Sequence, residues 1–432
     1  MDRRSKTANK TPQSEDLQAV PIHLLRGCVS RKVSQPNIFF SVGEPSGDLH
    51  AAKLIEQLQR FCPTSTHRGF GGSLMEQAGC QIDFDLTTMA VVGFVEVLPK
   101  LREFFRVADI ATDIFREQHP DAVVLVDFPG FNWHIAKRAK QLGIPTFYYL
   151  PPQLWAWGAW RLKKMRRYVD HVLCNLPFEQ QWYSERGMEV DYVGHPFFDE
   201  VAERPLDERF LSTWQDYEGV QVAVLPGSRS REVKHIWPMQ LSAIRELSRR
   251  YPKTRFMVAC LRDQHCLQCK QQLTESDRGI NIDFFVQRTS EIIELADCAL
   301  MKSGSVSLEM MARGTPAVVV YHASRVLYGI GRCLTDIQSM TLPNMIAEKT
   351  IMPEFLAVGS TAQTIEKSVA ALDRLIVDGQ ERKRQRDELL SVSASVAQTG
   401  ASRRAARTIL QRLGIPEAVD APTQRNVTKH AA

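Results

Sequence analysis

Between Ala296 and Val320 the chain passes from one apolar run, through a Ser303-Gly304 turn and an amphipathic helix, to Gly314-Thr315-Pro316 and a second apolar run. Strand, helix, strand over so short a span specifies a parallel α/β unit and leaves few other folds open. Ser305 stands where an N-cap belongs, and Gly304 lets backbone come close to a ligand. The free amides of such a helix start attract a phosphate. Glu309 lies about 7 Å further along the axis at ~1.5 Å per residue, roughly the reach from a pyrophosphate to its ribose. A carboxylate there can accept hydrogen bonds from two vicinal hydroxyls, or it is an ordinary surface glutamate.

The same grammar recurs along the chain. Asn37–Val42 reads as a buried strand broken by Gly43-Glu44-Pro45-Ser46-Gly47-Asp48. A helix follows with Ala51, Leu54, Ile55, Leu58 and Phe61 on one face. The loop lacks G-x-G-x-x-G, and Glu44 and Asp48 would repel a phosphate. Sugar hydroxyls are the expected ligands of Glu44, Ser46 and Asp48, with Ser46 as the helix cap and Asp48 as a first-turn acid the plain alternative. Ala122–Val126 ends at Asp127, which places a carboxylate at the carboxyl end of a buried strand, where catalytic groups collect; Asn132 closes that segment. Gln221–Leu225 ends in Pro226-Gly227-Ser228-Arg229, with Glu232 starting a helix, a second candidate anion site. Asn344, in a loop at Leu342–Met345, could donate to a sugar or phosphate, or hold a turn.

A chain of 432 residues exceeds one ordinary core, so two doubly wound domains are expected. The boundaries read as a disordered extension 1–36, a first domain 37–200, a polar linker 201–218 and a second domain 219–375. Helices 376–416 follow, packing back on their own first domain or on a neighbour's in a homodimer, before a disordered tail 417–432. Nine irregularly spaced cysteines suit free thiols in a reducing compartment, and Cys266-x-x-Cys269 has no second pair to complete a zinc site. No run approaches the ~20 apolar residues of a membrane span. Residues 88–107 are nevertheless densely apolar with interleaved cations, so Val91, Val92, Phe94, Val95, Leu98, Leu101, Phe104 and Phe105 read as a core helix or a membrane-interface and acyl-chain surface. Trp155, Trp157 and Trp160 precede Arg161, Lys163, Lys164, Arg166 and Arg167. With a net charge of only +5 overall, nucleic acid is not the expected partner.

Seven motifs in order resemble one family. They are Gly43-Glu-Pro-Ser-Gly-Asp48, Asp127-Phe-Pro-Gly-Phe-Asn132, Trp155-Ala-Trp157, Gly194-His-Pro196, Leu225-Pro-Gly-Ser-Arg229 with Glu232, Ser303-Gly304 through Glu309, and Leu342-Pro-Asn344. Together they resemble lipid A disaccharide synthase. The resemblance implies a B-type glycosyltransferase fold, with two Rossmann-like domains across a cleft and no metal or cofactor. It implies inverting transfer of a 2,3-diacylglucosaminyl group from UDP-2,3-diacylglucosamine to the 6-hydroxyl of 2,3-diacylglucosamine 1-phosphate. It also implies a cytoplasmic enzyme peripheral on the inner face of the inner membrane of a Gram-negative cell. On this reading Asp127 is the base, with Glu44 sharing that role or holding sugar hydroxyls. Arg229, Ser303 and Gly304 take the diphosphate, Glu309 the ribose, and Asn344 donor polar groups. The chain departs from the family pattern at Gly130, where an acid is usual, and at Lys302, where a small residue is expected. A UDP-N-acetylglucosamine epimerase shares the two-domain plan but needs no acyl-binding surface; a non-catalytic nucleotide-sugar-binding membrane module is the other alternative.

Overall fold

The computed structural model describes residues 35–90, 97–156, 158–302, 304–325, 328–329 and 339–416. Its first sheet is built of β1 (Asn37–Val42), β2 (Thr66–Gly71), β3 (Gln81–Asp85), β4 (Ala122–Val126), β5 (Thr146–Tyr149), β6 (His171–Cys174) and β7 (Asp191–Tyr192). They lie parallel in the order β3-β2-β1-β4-β5-β6-β7. The second sheet holds β8 (Gln221–Leu225), β9 (Arg255–Cys260), β10 (Ile282–Val286), β11 (Cys298–Met301), β12 (Ala317–Ala323) and β13 (Glu354–Val358). These are also parallel, in the order β10-β9-β8-β11-β12-β13.

Helices cover both faces of each sheet, so β4 and β8 are buried along their whole length and read as unbroken apolar runs. The helix Pro45–Phe61 buries Leu54, Ile55, Leu58 and Phe61 in the first core, each contributing roughly 1.5–3 kcal/mol. Strand order reverses between β1 and β4 and again between β8 and β11. An open α/β sheet binds ligands outside the carboxyl ends of its strands at such reversals. Register makes this specific: Val42 pairs with Val126 and Leu225 with Met301. Gly43 and Asp127 therefore leave the first sheet side by side, as Pro226 and Lys302 leave the second.

Several segments differ from their sequence-based expectation. Strands β2, β3 and β13 were not anticipated. The stretch 201–218, read as a linker, carries the end of one helix and all of another, Phe197–Glu203 and Glu208–Trp214. Asp207 caps the second by accepting the Phe210 amide at 3.0 Å, and Phe210 and Trp214 pack edge-on against Phe285 of the second domain. Leu342–Ala347 is a helix rather than a loop, entered at Pro343. The helix Gly379–Val396 stays with the second domain through Leu389 and Val396. Only Ala401–Arg412 returns to the first, laying Ala405, Ala406, Ile409 and Leu410 into the core beside Leu54 and Leu58.

The chain thus crosses between domains twice, and the crossings touch. Asp199, on the first, accepts the backbone amides of Gly400, Ala401 and Ser402 on the second. Arg404 reaches back to the Val193 carbonyl at 2.8 Å while also holding the carbonyls of Gln398 and Thr399. Expectations that fall on residues 1–34 and 417–432 lie outside the described residues.

Candidate active site

Asp127 and Phe128 are consecutive residues in the left-handed region, at φ 47° and 45°. Non-glycine residues pay steric strain there, so something must hold them. Asn132 donates to the Asp127 carbonyl at 2.8 Å, and the Tyr148 hydroxyl donates to the same oxygen at 2.8 Å. Asn132 also donates to the carbonyls of Ser41 and Val126 and accepts the Ser41 hydroxyl at 2.7 Å. The side chain is fully buried, and both its oxygen and its amide hydrogens are engaged by the surrounding backbone and Ser41. Phe128 folds over Gly43 so closely that a Cβ at Gly43 would lie 2.1 Å from the ring, so only glycine fits.

The strained turn leaves the Asp127 side chain in the crevice beside Glu44. Burial, then the neighbouring Glu44 charge, push its carboxyl up to about 6, while the Phe128 amide and Arg229 pull the other way. An ordinary aspartate, near ~3.9, is a feeble base at neutral pH, whereas this one is close to its working range. Arg229 belongs to the second domain, so its influence shows the two crevices facing each other.

On that opposite wall a cleft of about 280 Å3 opens between the ends of β8 and β11, lined by Ser228, Arg229, Glu232, Lys302, Gly304 and Ser305 among others. Glu232 shapes its rim by accepting the Ser228 and Arg229 amides at 3.1 and 3.3 Å, a carboxylate reaching back over a helix start. Gly227, at φ 127°, leaves the space this needs, since an added Cβ would lie 2.8 Å from the Glu232 Cβ. Beneath, buried Gln240 donates to the carbonyls of Leu225 and Leu300 at 3.1 and 3.0 Å, tying the two strand ends together. Gly304 is open: an added Cβ would meet nothing within 4 Å. Ser305 occupies the N-cap position of the helix Val306–Arg313 but has helical dihedrals and makes no side-chain cap bond. Ser303 lies outside the described residues.

Four residues expected to contact ligand have other partners. Asp48 is buried and accepts the amides of Gly72, Leu74 and Met75, capping the helix Ser73–Gln77. Asn132 is consumed by the Asp127 turn. Asn344 is buried, donates to Met352 and Glu354, and accepts the Ile351 and Met352 amides, leaving no capacity for a sugar. Glu309 is buried rather than surface-exposed; its Oε1 accepts Arg313 Nε at 3.1 Å, and it does not line the cleft. Polar residues beside turns look alike in sequence whether they face ligand or backbone. Ser46 is exposed at the start of its helix, near Glu44. Replacing Asp48 by Ala should lower stability by about 1–2 kcal/mol, the usual range for a lost cap, without weakening UDP binding. Urea denaturation and UDP titration together check this; weakened UDP binding at unchanged stability would return Asp48 to the ligand.

Of the expected acyl surface, Val91, Val92, Phe94 and Val95 lie outside the described residues. Leu98 and Leu101 fall in the helix Val97–Gln118, their side chains likewise outside the description. Phe104 turns inward, 6.0 Å from Phe128 and 5.8 Å from Phe131 between ring centroids. Phe105 remains outside, 48% exposed against His134. Trp155 donates to buried Glu179 at 2.9 Å, a packing role, and Trp160 is 61% exposed.

Two parallel α/β domains opening their strand reversals on one crevice are the architecture of B-type glycosyltransferases and of their epimerase cousins. A UDP-GlcNAc 2-epimerase from Neisseria meningitidis, solved bound to UDP-GlcNAc, superposes with a TM-score of 0.60 at 14% identity, covering 87% of this chain and 99% of that one. The calicheamicin glycosyltransferase CalG4 gives 0.54 at 15% identity, over 88% and 98% of the two chains. At such identities the likeness is one of fold alone. Sequence decides the family: residues 38–410 match the model described as Lipid-A-disaccharide synthetase, and the chain belongs to that family of glycosyltransferases. The lipid-A-disaccharide synthase of Anaeromyxobacter dehalogenans strain 2CP-1 is 34% identical over 375 residues, spanning 86% of this chain and 96% of its own. That of Myxococcus xanthus is 32% identical over 381 residues, spanning 88% and 98%.

Proposed function

We propose that this protein joins two acylated glucosamines by inverting transfer, with Asp127 as the base. The donor is UDP-2,3-diacylglucosamine and the acceptor 2,3-diacylglucosamine 1-phosphate. The acceptor O6 attacks the donor anomeric carbon, its proton passes to the Asp127 carboxylate, and the electron pair of the breaking C1–O bond leaves on the β-phosphate of UDP. The observation that carries this reading is a half-buried carboxylate on a strained turn, with its acidity shifted to about 6, facing the cation-lined cleft of the other domain. Glu44 raises the base's pKa and lies where acceptor hydroxyls would be held. Arg229, Gly304 and Ser305 would receive the diphosphate.

Purified protein given both lipids should release UDP, and omission of either lipid should abolish release. Donor consumption without acceptor would favour an epimerase, and no consumption at all a binding module.

The base works deprotonated, so kcat/KM should fall about tenfold per pH unit below an acid limb near 6. Glu44→Gln removes a negative charge that disfavours the Asp127 carboxylate, so this limb should move to lower pH. A limb unmoved by that substitution would belong to another group.

Contact with a bilayer fits the same reading. No helix among the described residues is long and apolar enough to cross a membrane. Exposed Phe105 and Trp160, with exposed Lys137, Lys163, Lys164, Arg166 and Arg167 on neighbouring helices, suit the interface of an anionic inner leaflet. The last helix packs on the first domain through Ala405, Ala406, Ile409 and Leu410.

A further inference from the structure

Lys302 is the first residue after β11, and its amide donates to the Leu225 carbonyl at 2.9 Å, the last bond of that strand pair. Its Cα is thereby fixed at the strand reversal where the second domain opens its cleft. The ammonium lies 2.9 Å from Glu232 Oε1, and the side chain is 25% exposed. The other Glu232 oxygen accepts the Ser228 and Arg229 amides, so one carboxylate joins both lips of the crevice. Lys302 therefore stands opposite Arg229 across the same cavity, aimed rather than free.

An ammonium has three donors, and Glu232 is the one acceptor Lys302 has among the described residues. The remaining N–H groups border a cleft whose other wall carries Arg229. Arg229, Lys302 and Glu232 sum to one net positive charge, set to receive an anion. A half-buried ion pair alone would add little stability, which leaves anchoring of Glu232 a weak reason for a cation in this position.

We propose that Lys302 binds the diphosphate of the UDP donor and stabilises it as it departs, with Glu232 holding the ammonium in place. This rests on the assignment of the cleft to the nucleotide. Lys302 keeps its proton throughout. As the C1–O bond breaks, the electron pair settles on the β-phosphate oxygen, and the hydrogen bond from Nζ strengthens with the growing charge. Lys302 is thus a catalytic residue that touches the leaving group, and Glu232 a positioning residue acting through it.

The experiment compares the full-length protein with Lys302→Met, which keeps length without charge, and Lys302→Arg, which keeps charge. Dissociation constants for UDP and uridine are measured by calorimetry, and kcat and KM with both lipid substrates. Lys302→Met should weaken UDP about 10- to 100-fold, the range for a lost charge-assisted hydrogen bond, while uridine affinity changes less than about twofold. Its kcat should fall at least about tenfold, because the contact strengthens in the transition state. Lys302→Arg should recover most of both, and Glu232→Gln should give a smaller loss confined to UDP. Unchanged UDP affinity and kcat in Lys302→Met would overturn the inference, as would equal losses for UDP and uridine, the mark of a collapsed loop. Wild-type protein binding neither UDP nor uridine would overturn the nucleotide assignment itself, and Lys302's role with it.

Discussion

Asp127→Asn should lower kcat by about 10²- to 10⁴-fold, the usual worth of a positioned general base, and change UDP affinity less than about twofold. The amide is isosteric, so the left-handed turn keeps its supports: Asn132 and Tyr148 bind the residue 127 carbonyl, which the substitution leaves alone. What goes is the proton acceptor. The loss should also erase the acid limb near 6, because the group that titrates there is gone. Rapid-quench turnover and UDP calorimetry on the same preparation give the result. Turnover within a few-fold of wild type, or an acid limb that persists, would remove Asp127 from the proton transfer.

The second large effect is expected at a residue that never meets substrate. Asn132→Ala strips four hydrogen bonds from a fully buried site and leaves the Ser41 hydroxyl and the Asp127 carbonyl short of partners. Buried polar groups left unsatisfied cost about 1–3 kcal/mol each, so a loss of roughly 2–4 kcal/mol in urea denaturation is expected. Turnover of the folded fraction should fall more than about tenfold as the turn relaxes and the carboxylate drifts, since small misplacements of a reacting group are costly. Wild-type stability in this variant would mean that Phe128 packing alone holds the turn.

The sequence was most informative where burial is two-sided. β1, β4, β8 and β11 are short apolar runs ending in glycine, proline or a polar residue, and all four loops that form the crevice follow them. β2, Thr66-His-Arg-Gly-Phe-Gly71, hides its strand character behind two glycines and three polar residues. Its Arg68 pairs with Asp83 on β3, so two adjacent strands each look polar for the sake of the other. β13 is only partly buried at the sheet edge. Within the site, Asp127 and Arg229 were legible because strand ends advertise themselves. The shifted acidity of Asp127 was not, because it depends on Glu44, drawn alongside by the pairing of strands 84 residues apart in sequence. Asp48 and Asn344 take the structural one of the two roles their sequence leaves open, and Asn132 joins them, because nothing local in a sequence tells which way a polar side chain beside a turn will face.

Because Asp199 and Arg404 fasten the two interdomain passages to each other, the halves are joined by a single hinge rather than by two independent tethers. The wall that carries Arg229 is thus tied to the wall that carries Asp127 at one knot, where two distant parts of the chain meet.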